Sequence, residues 1–262
     1  MKRTNASGAV TFFLLTAAIG LPLMALLIGS VGKRWYFPQL LPATFDTEAW
    51  QQVASGKVWE ATLTSFGIAG VVTAVAVAIG FPAGRVLASR QIAGVNVIRL
   101  LLLFPALAPP VMLGTGTQVF FTLTRLSGTT VGVVLAHLIP AVPYAALVST
   151  GIFAGFNFRL EEQARTLGAA PWQVLWFVTR PALLPGVITV AFFSFLISWS
   201  QYALTMQIGG GRITTLPMLV MNYLGGGNPQ FASAASLMMI VPTLLIIALV
   251  YKQPGNAQSG QW

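Results

Sequence analysis

Residues 61–83 read ATLTSFGIAGVVTAVAVAIGFPA, with no Asp, Glu, Lys or Arg among them. A membrane helix needs about 20 mostly apolar residues to cross about 30 Å of hydrocarbon, and this run meets that requirement. Five more stretches do the same, so that spans are predicted near 9–31, 61–83, 100–123, 130–153, 186–208 and 233–251, all free of charge. Open sheet edges cannot face lipid, and the runs are too long and too evenly apolar for barrel strands. The predicted fold is therefore all-α: a single polytopic transmembrane domain over residues 1–262 with six helices.

Composition agrees. Of 262 residues, 56% are hydrophobic and only 7% are charged, against about 25% in a soluble domain. That is too little charge to clothe a water-facing surface. The net charge of +9 comes from 14 basic and 5 acidic residues. Scattered along an apolar chain, the bases form no basic face, so nucleic acid is not an expected partner; they read as insertion signals. With the N-terminus in the cytoplasm, Lys2, Arg3, Arg85, Arg90, Arg99, Arg159, Arg165, Arg180 and Lys252 fall inside. Lys33, Arg34, Lys57, Arg125 and Arg212 fall outside. Nine against five places both termini inside. The outer loop 32–60 also holds Asp46, Glu48 and Glu60, and its Trp35, Tyr36, Trp50 and Trp59 suit a membrane interface. The first apolar run exceeds a signal-peptide core, and Lys33-Arg34 follows it instead of a small-residue cleavage site. It reads as a retained helix.

Several spans carry internal pattern. Ala76, Gly80 and Gly84 recur every fourth residue in the second. They mark either a face for close helix approach or the ordinary small-residue content of membrane helices. The third holds Pro105, Pro109 and Pro110, which kink it and free carbonyls. That kink is either a static bend or part of a moving wall. In the fifth, Ser194, Ser198, Gln201 and Thr205 follow spacings of four, three and four, a stripe that lines a hydrated path or bonds to other helices. His137 is the one histidine. With no acid in any span it lacks a proton-relay partner, and the simpler reading is a buried, hydrogen-bonded neutral ring. There are no cysteines, so disulfides and thiolate metal sites are excluded. No metal or other cofactor is expected on this chain.

The inner loop 154–185 holds the remaining pattern. It contains NFRLEEQARTLGAAPW over 157–172. Asn157 is a candidate N-cap, Gly168 a candidate left-handed terminator, and Pro171 suits the first turn of a second helix. Leu160, Ala164 and Leu167 share one face of the first helix; Glu161 and Arg165 form an i,i+4 pair. A helix so short is marginal alone. It is either an amphipathic surface segment or a docking element for a cytoplasmic protein.

This loop resembles the signature of binding-protein-dependent ABC importer permeases: Glu-Ala-Ala, three residues, Gly, nine residues, an aliphatic, one residue, Leu-Pro. Here Glu162-Gln163-Ala164 is followed by Gly168 and by Val178-Thr179-Arg180-Pro181, with Gln163 and Arg180 departing from the pattern. The run Ser198-Trp-Ser-Gln-Tyr202, Gly209-Gly-Gly211 and Thr215-Leu-Pro217 is similar to the iron, polyamine, thiamine and sulfate branch. The resemblance implies a multi-pass subunit of a bacterial inner membrane that forms the path for a small solute. Glu162, Ala164, Arg165, Gly168, Ala169, Ala170 and Pro171 would form the coupling loop seated on a separate ATPase. Implied partners are two copies of that cytoplasmic ATPase, carrying ATP and Mg, a second identical or related permease, and an extracytoplasmic solute-binding protein. A phosphate-binding loop needs G-x-x-x-x-G-K-[ST]. The Gly-Lys pairs at Gly32-Lys33 and Gly56-Lys57 precede Arg and Val, so no ATPase activity is expected. An ion-coupled secondary carrier, a membrane-embedded enzyme and a structural membrane subunit are the competing readings. The first lacks an acid at the midplane and the second lacks a catalytic constellation.

Overall fold

The computed structural model describes residues 6–35, 38–54, 56–89 and 94–251. Lys2, Arg3, Arg90 and Lys252, placed by the charge argument, and Tyr36, assigned to the membrane interface, lie outside the described residues. Among the described residues the fold is helical apart from a two-residue strand pair, Gly32–Lys33 against Thr44–Phe45. Among them, five helical runs are long and apolar enough to cross a membrane, or six if one bent pair is counted as a span.

The chain divides into two compact units. The first comprises residues 1–62 and 216–242. It contains α1 (Ala6–Val31), the strand pair, α2 (Glu48–Val53), the first turns of α3 (Gly56–Ala88), α11 (Leu216–Gly225) and the first part of α12 (Pro229–Tyr251). The strand pair, α2 and α11 are short additions to the six-span expectation. Lys33 joins the hairpin to the start of α2, its Nζ lying 3.0 Å from Asp46 Oδ2 and 2.7 Å from Glu48 Oε2. Gln230 Nε2 donates to Asp46 Oδ1 at 2.7 Å, and Trp50 Nε1 donates to Ser30 Oγ at 3.2 Å.

The second unit comprises residues 63–215 and 243–262. Here α3 packs on α6 (Thr130–Ala154) and on α9 (Arg180–Trp199). Ile68, Val72 and Ala76 from α3 meet Val133, Ala141 and Ala145 from α6 and Val190 from α9 in one buried cluster. The small-residue face of α3 is a site of close approach. A Cβ at Gly80 would lie 2.5 Å from Ala145 Cβ, and one at Gly84 would lie 2.8 Å from the Ser149 carbonyl carbon. Bulk at either position would separate the two backbones.

The third span is two helices, α4 (Val95–Leu107) and α5 (Pro110–Leu123), bent by 92°. Ala108 and Pro109 are both extended, with ψ of 134° and 132°. A residue before proline is pushed out of the helical region, and Pro110 then fits the first turn of α5.

The fifth span also departs from a single helix over 186–208. α7 (Arg159–Thr166) is followed by the short α8 (Pro171–Gln173), a π turn over Val174–Thr179 and α9, so one helical run covers 171–199. Pro181 does not break it. In the π turn the Arg180 N–H reaches back to the Leu175 carbonyl, a local adjustment that absorbs groups a proline leaves unpaired. The run stops at Trp199, where Ser200 Oγ donates to the Leu196 carbonyl at 2.8 Å. α10 (Ala203–Gly209) begins afresh. A second buried cluster joins Phe121, Ala136, Leu204 and Ile208.

Candidate functional site

Two sites follow from this frame, both within the second unit. The first is the loop between α6 and α9. Its helix, α7, is eight residues long, slightly shorter than the run from Asn157 to Gly168 suggested. Asn157 Oδ1 accepts from Arg159 N at 3.1 Å, although Phe158 occupies the cap position. Gly168 has φ of +86°. Its N–H donates to the Arg165 carbonyl, and Ala169 N–H donates to the Ala164 carbonyl, both at 3.0 Å. This pair of bonds is the Schellman terminator, which requires a left-handed residue where glycine stands. Gln173 Oε1 accepts from Ala170 N at 2.8 Å, and Pro171 opens α8.

The two faces of α7 differ in exposure. Glu162, Gln163, Arg165, Thr166, Leu167 and Gly168 are exposed, and Leu167 is 88% exposed. Arg159, Glu162, Gln163, Thr166 and Leu167 line an open depression. Ala164, Ala169 and Ala170 are half-buried, while Pro171 and Trp172 face outward. Glu161 points inward and is buried. Its partner is not chiefly Arg165, which lies 4.0 Å away, but Arg85 on α3 at 2.7 Å. Thr179 Oγ1 donates to its other oxygen at 2.9 Å. Sequence reasoning missed this network because no spacing rule links residues 85, 161 and 179.

The second site surrounds the break between α9 and α10. His137 is buried, with Nδ1 2.8 Å from Ser198 Oγ and Nε2 2.9 Å from Thr205 Oγ1. Thr205 Oγ1 itself donates to the Gln201 carbonyl at 2.9 Å. It therefore accepts from the imidazole, which assigns the proton to Nε2 and leaves Nδ1 to accept from Ser198. A relay of hydrogen bonds spans the helix break and ties it to α6. Ser194 is also buried, its hydroxyl without a partner among the described residues. The four polar residues thus do not share one helix. Ser198 and Thr205 face His137, whereas Gln201 lines a cavity of about 380 Å³ with Pro105, Ala108, Pro110, Pro140, Tyr144 and others. That cavity lies between the two places where helices break. No group of three or more metal-ligating side chains occurs among the described residues.

Apolar helices of membrane-spanning length, two of them interrupted, beside a glycine-terminated loop helix, define a polytopic helical membrane protein. The sequence profile described as "Binding-protein-dependent transport system inner membrane component" matches residues 76–252. The chain belongs to this family and is an inner-membrane permease subunit of an ABC importer, not its ATPase. Over 214 residues it is 31% identical to the molybdenum transport permease ModB of Mycobacterium tuberculosis, covering 76% of this chain and 80% of that one. Over 250 residues it is 29% identical to PhnV, a permease protein assigned to 2-aminoethylphosphonate transport in Salmonella typhimurium, covering 94% and 93%. The fold matches the crystal structure of a bacterial alginate ABC importer with a TM-score of 0.68 at 17% identity, over 97% of this chain and 99% of the other. It also matches the inward-facing MetNI methionine transporter, with a TM-score of 0.60 at 18% identity, over 79% and 97%.

Proposed function

We propose that loop 157–172 is the coupling element through which a separate ATPase drives this permease. The observation that carries the reading is the exposure of Glu162, Arg165, Leu167 and Gly168 on a helix whose opposite face is anchored through buried Glu161. A short helix held on one side and bare on the other has the form of a docking surface. Ala164, Ala169, Ala170 and Pro171 shape the turn beside it. Two ATPase subunits binding ATP and Mg would close and draw two such loops together. The companion permease would be a second copy or a related chain. Nine of the fourteen basic residues fall on the loop's side of the predicted spans, which supports a cytoplasmic setting for both termini and for this loop. The test is assembly: Glu162→Lys should reduce the ATPase that co-purifies with the permease, whereas unchanged recovery would count against docking here.

The opposite side of the membrane would receive solute from an extracytoplasmic binding protein. Relatives of similar identity carry names that specify different cargo: molybdenum for ModB, 2-aminoethylphosphonate for PhnV and trehalose for SugB of Mycobacterium tuberculosis, 24% identical over 223 residues. Family membership therefore does not name the solute, which is consistent with selection by the binding protein. Within this chain, Gln201 is the candidate path-lining group, since it lines the cavity between the broken helices. Ser194, Ser198 and Thr205 support that wall from within.

A further inference from the structure

We propose that Glu161, through Arg85 and Thr179, is the positioning residue that makes the coupling helix, the end of α3 and the start of α9 move as one body. This rests on the coupling reading above. Glu161 is 5% exposed, yet both carboxylate oxygens are engaged. Oε2 meets Arg85 Nη2 at 2.7 Å and Oε1 accepts from Thr179 Oγ1 at 2.9 Å. Three separate elements converge on one side chain. Such charge-assisted hydrogen bonds are short and directional.

The surroundings fix each partner. The Arg85 guanidinium lies over the Phe158 ring at 5.4 Å and the Phe153 ring at 6.0 Å from their centroids. These two rings are stacked, with an interplanar angle of 14°, and Phe81 packs on Phe153 at 4.8 Å. Cationic guanidinium over aromatic faces is an attractive arrangement. The rings therefore hold the arginine in place while leaving its side chain partly open. Thr179 ends the π turn. A π turn inserts extra backbone and resets which face of the following helix points inward. Here it delivers the Thr179 hydroxyl to Glu161 and leaves Arg180 outside, 4.1 Å from the Trp176 ring centroid.

The consequence is mechanical. A force on the exposed face of α7 reaches α3 and α9 without a soft joint. Without this link, a loop of two short helices would absorb the displacement by tilting.

The chain has no cysteine, so spin labels can be placed at Val86→Cys and Leu160→Cys, both exposed positions. In the full complex with its ATPase and binding protein, the distance between these labels should stay within about 2 Å on ATP binding, well under a one-turn helix ratchet of about 5.4 Å. A larger change in the otherwise native chain overturns the proposal. Glu161→Gln keeps shape and removes charge. It should lower solute transported per ATP by about tenfold while the ATPase stays bound, and should broaden the label distance. Thr179→Val should do the same more weakly. Arg85→Lys should retain coupling that Arg85→Met loses. Wild-type transport per ATP in Glu161→Gln would sink the idea; if that variant does not assemble, the label distance in the native background decides. Failure of the docking reading shows differently, as a Glu162→Lys complex that keeps its ATPase.

Discussion

His137 and Thr205 are separated by 68 residues in the chain, yet the imidazole Nε2 lies 2.9 Å from the threonine hydroxyl. The contact places α6 against the first turn of α10, directly after the break that ends α9. With Ser198 on the other ring nitrogen, the histidine replaces the helical continuity that residues 200–202 lack. The ring thereby ties both sides of the break to α6.

Replacing His137 by Leu should therefore destabilise the permease. It strands the buried Ser198 hydroxyl and weakens the hold on Thr205. Leaving a buried polar group unsatisfied costs about 1–3 kcal/mol. The detergent-solubilised protein should melt several degrees lower, and His137→Gln, which keeps a donor and an acceptor, should recover part of the loss. An unchanged melting point in His137→Leu would show that the relay contributes nothing.

The α3–α6 contact gives a paired prediction. At Gly84 an added Cβ would sit 2.8 Å from both the Ser149 carbonyl carbon and Thr150 N, backbone atoms that cannot rotate away. Gly84→Ala should cost about 1–3 kcal/mol by overpacking. At Gly67, on the same helix, nothing lies within 4 Å of the added atom. Gly67→Ala should gain up to about 1 kcal/mol from helix propensity. Thermal unfolding of the two variants should move in opposite directions.

The Lys33–Asp46 cluster predicts a pH dependence. Hydrogen bonds from Gln230, Lys33 and the Glu48 backbone hold the Asp46 carboxyl below its ordinary value of 3.8. Glu48 and Asp46 hold Lys33 above its ordinary 10.5. The stabilisation from a depressed carboxyl is present above 3.8 and is lost as pH falls through the lower folded value. That from a raised amine is complete below 10.5 and is lost above it. Asp46→Asn should thus melt below the parent at about pH 7, and the gap should shrink as the pH falls below 3.8. A gap of constant size across that range would show that Asp46 does not act through its charge.

How far the sequence revealed this structure depended on the range of the interactions. Long uncharged runs declare membrane helices because length and composition suffice, so α1, α3, α6 and α12 were legible. The Gly168 turn was legible because glycine, Ala169 and Pro171 act on adjacent backbone. The break at Trp199–Ala203 was not. Ser200 and Gln201 carry no proline or glycine signal, and the stripe Ser194, Ser198, Gln201, Thr205 fits an unbroken helix equally well. The Arg85–Glu161 pair was hidden for a different reason: Arg165 offered Glu161 a local partner at the right spacing, and only tertiary packing shows that α3 supplies a nearer one. The π turn was likewise invisible, since no proline, glycine or spacing signal marks Val174–Thr179.

Gly168 offers the most discriminating test of the coupling loop. Its φ is +86°, and an added Cβ would meet no atom within 4 Å. Within this chain, any effect of substitution is therefore conformational rather than a clash. Left-handed backbone costs an L-residue about 1–2 kcal/mol, least for Asn and most for a β-branched side chain. The order of damage should be Asn, then Ala, then Val. Gly168→Val should lose the bonds from Gly168 N–H to Arg165 and from Ala169 N–H to Ala164, and with them the angle between α7 and α8. In reconstituted vesicles, ATP hydrolysis should persist while solute uptake falls, because the loop can still touch the ATPase but no longer transmits its motion. Normal uptake by Gly168→Val would remove the turn from the coupling mechanism. Equal damage from Asn and Val would point to exposed-surface contact, not backbone geometry, as what Gly168 supplies.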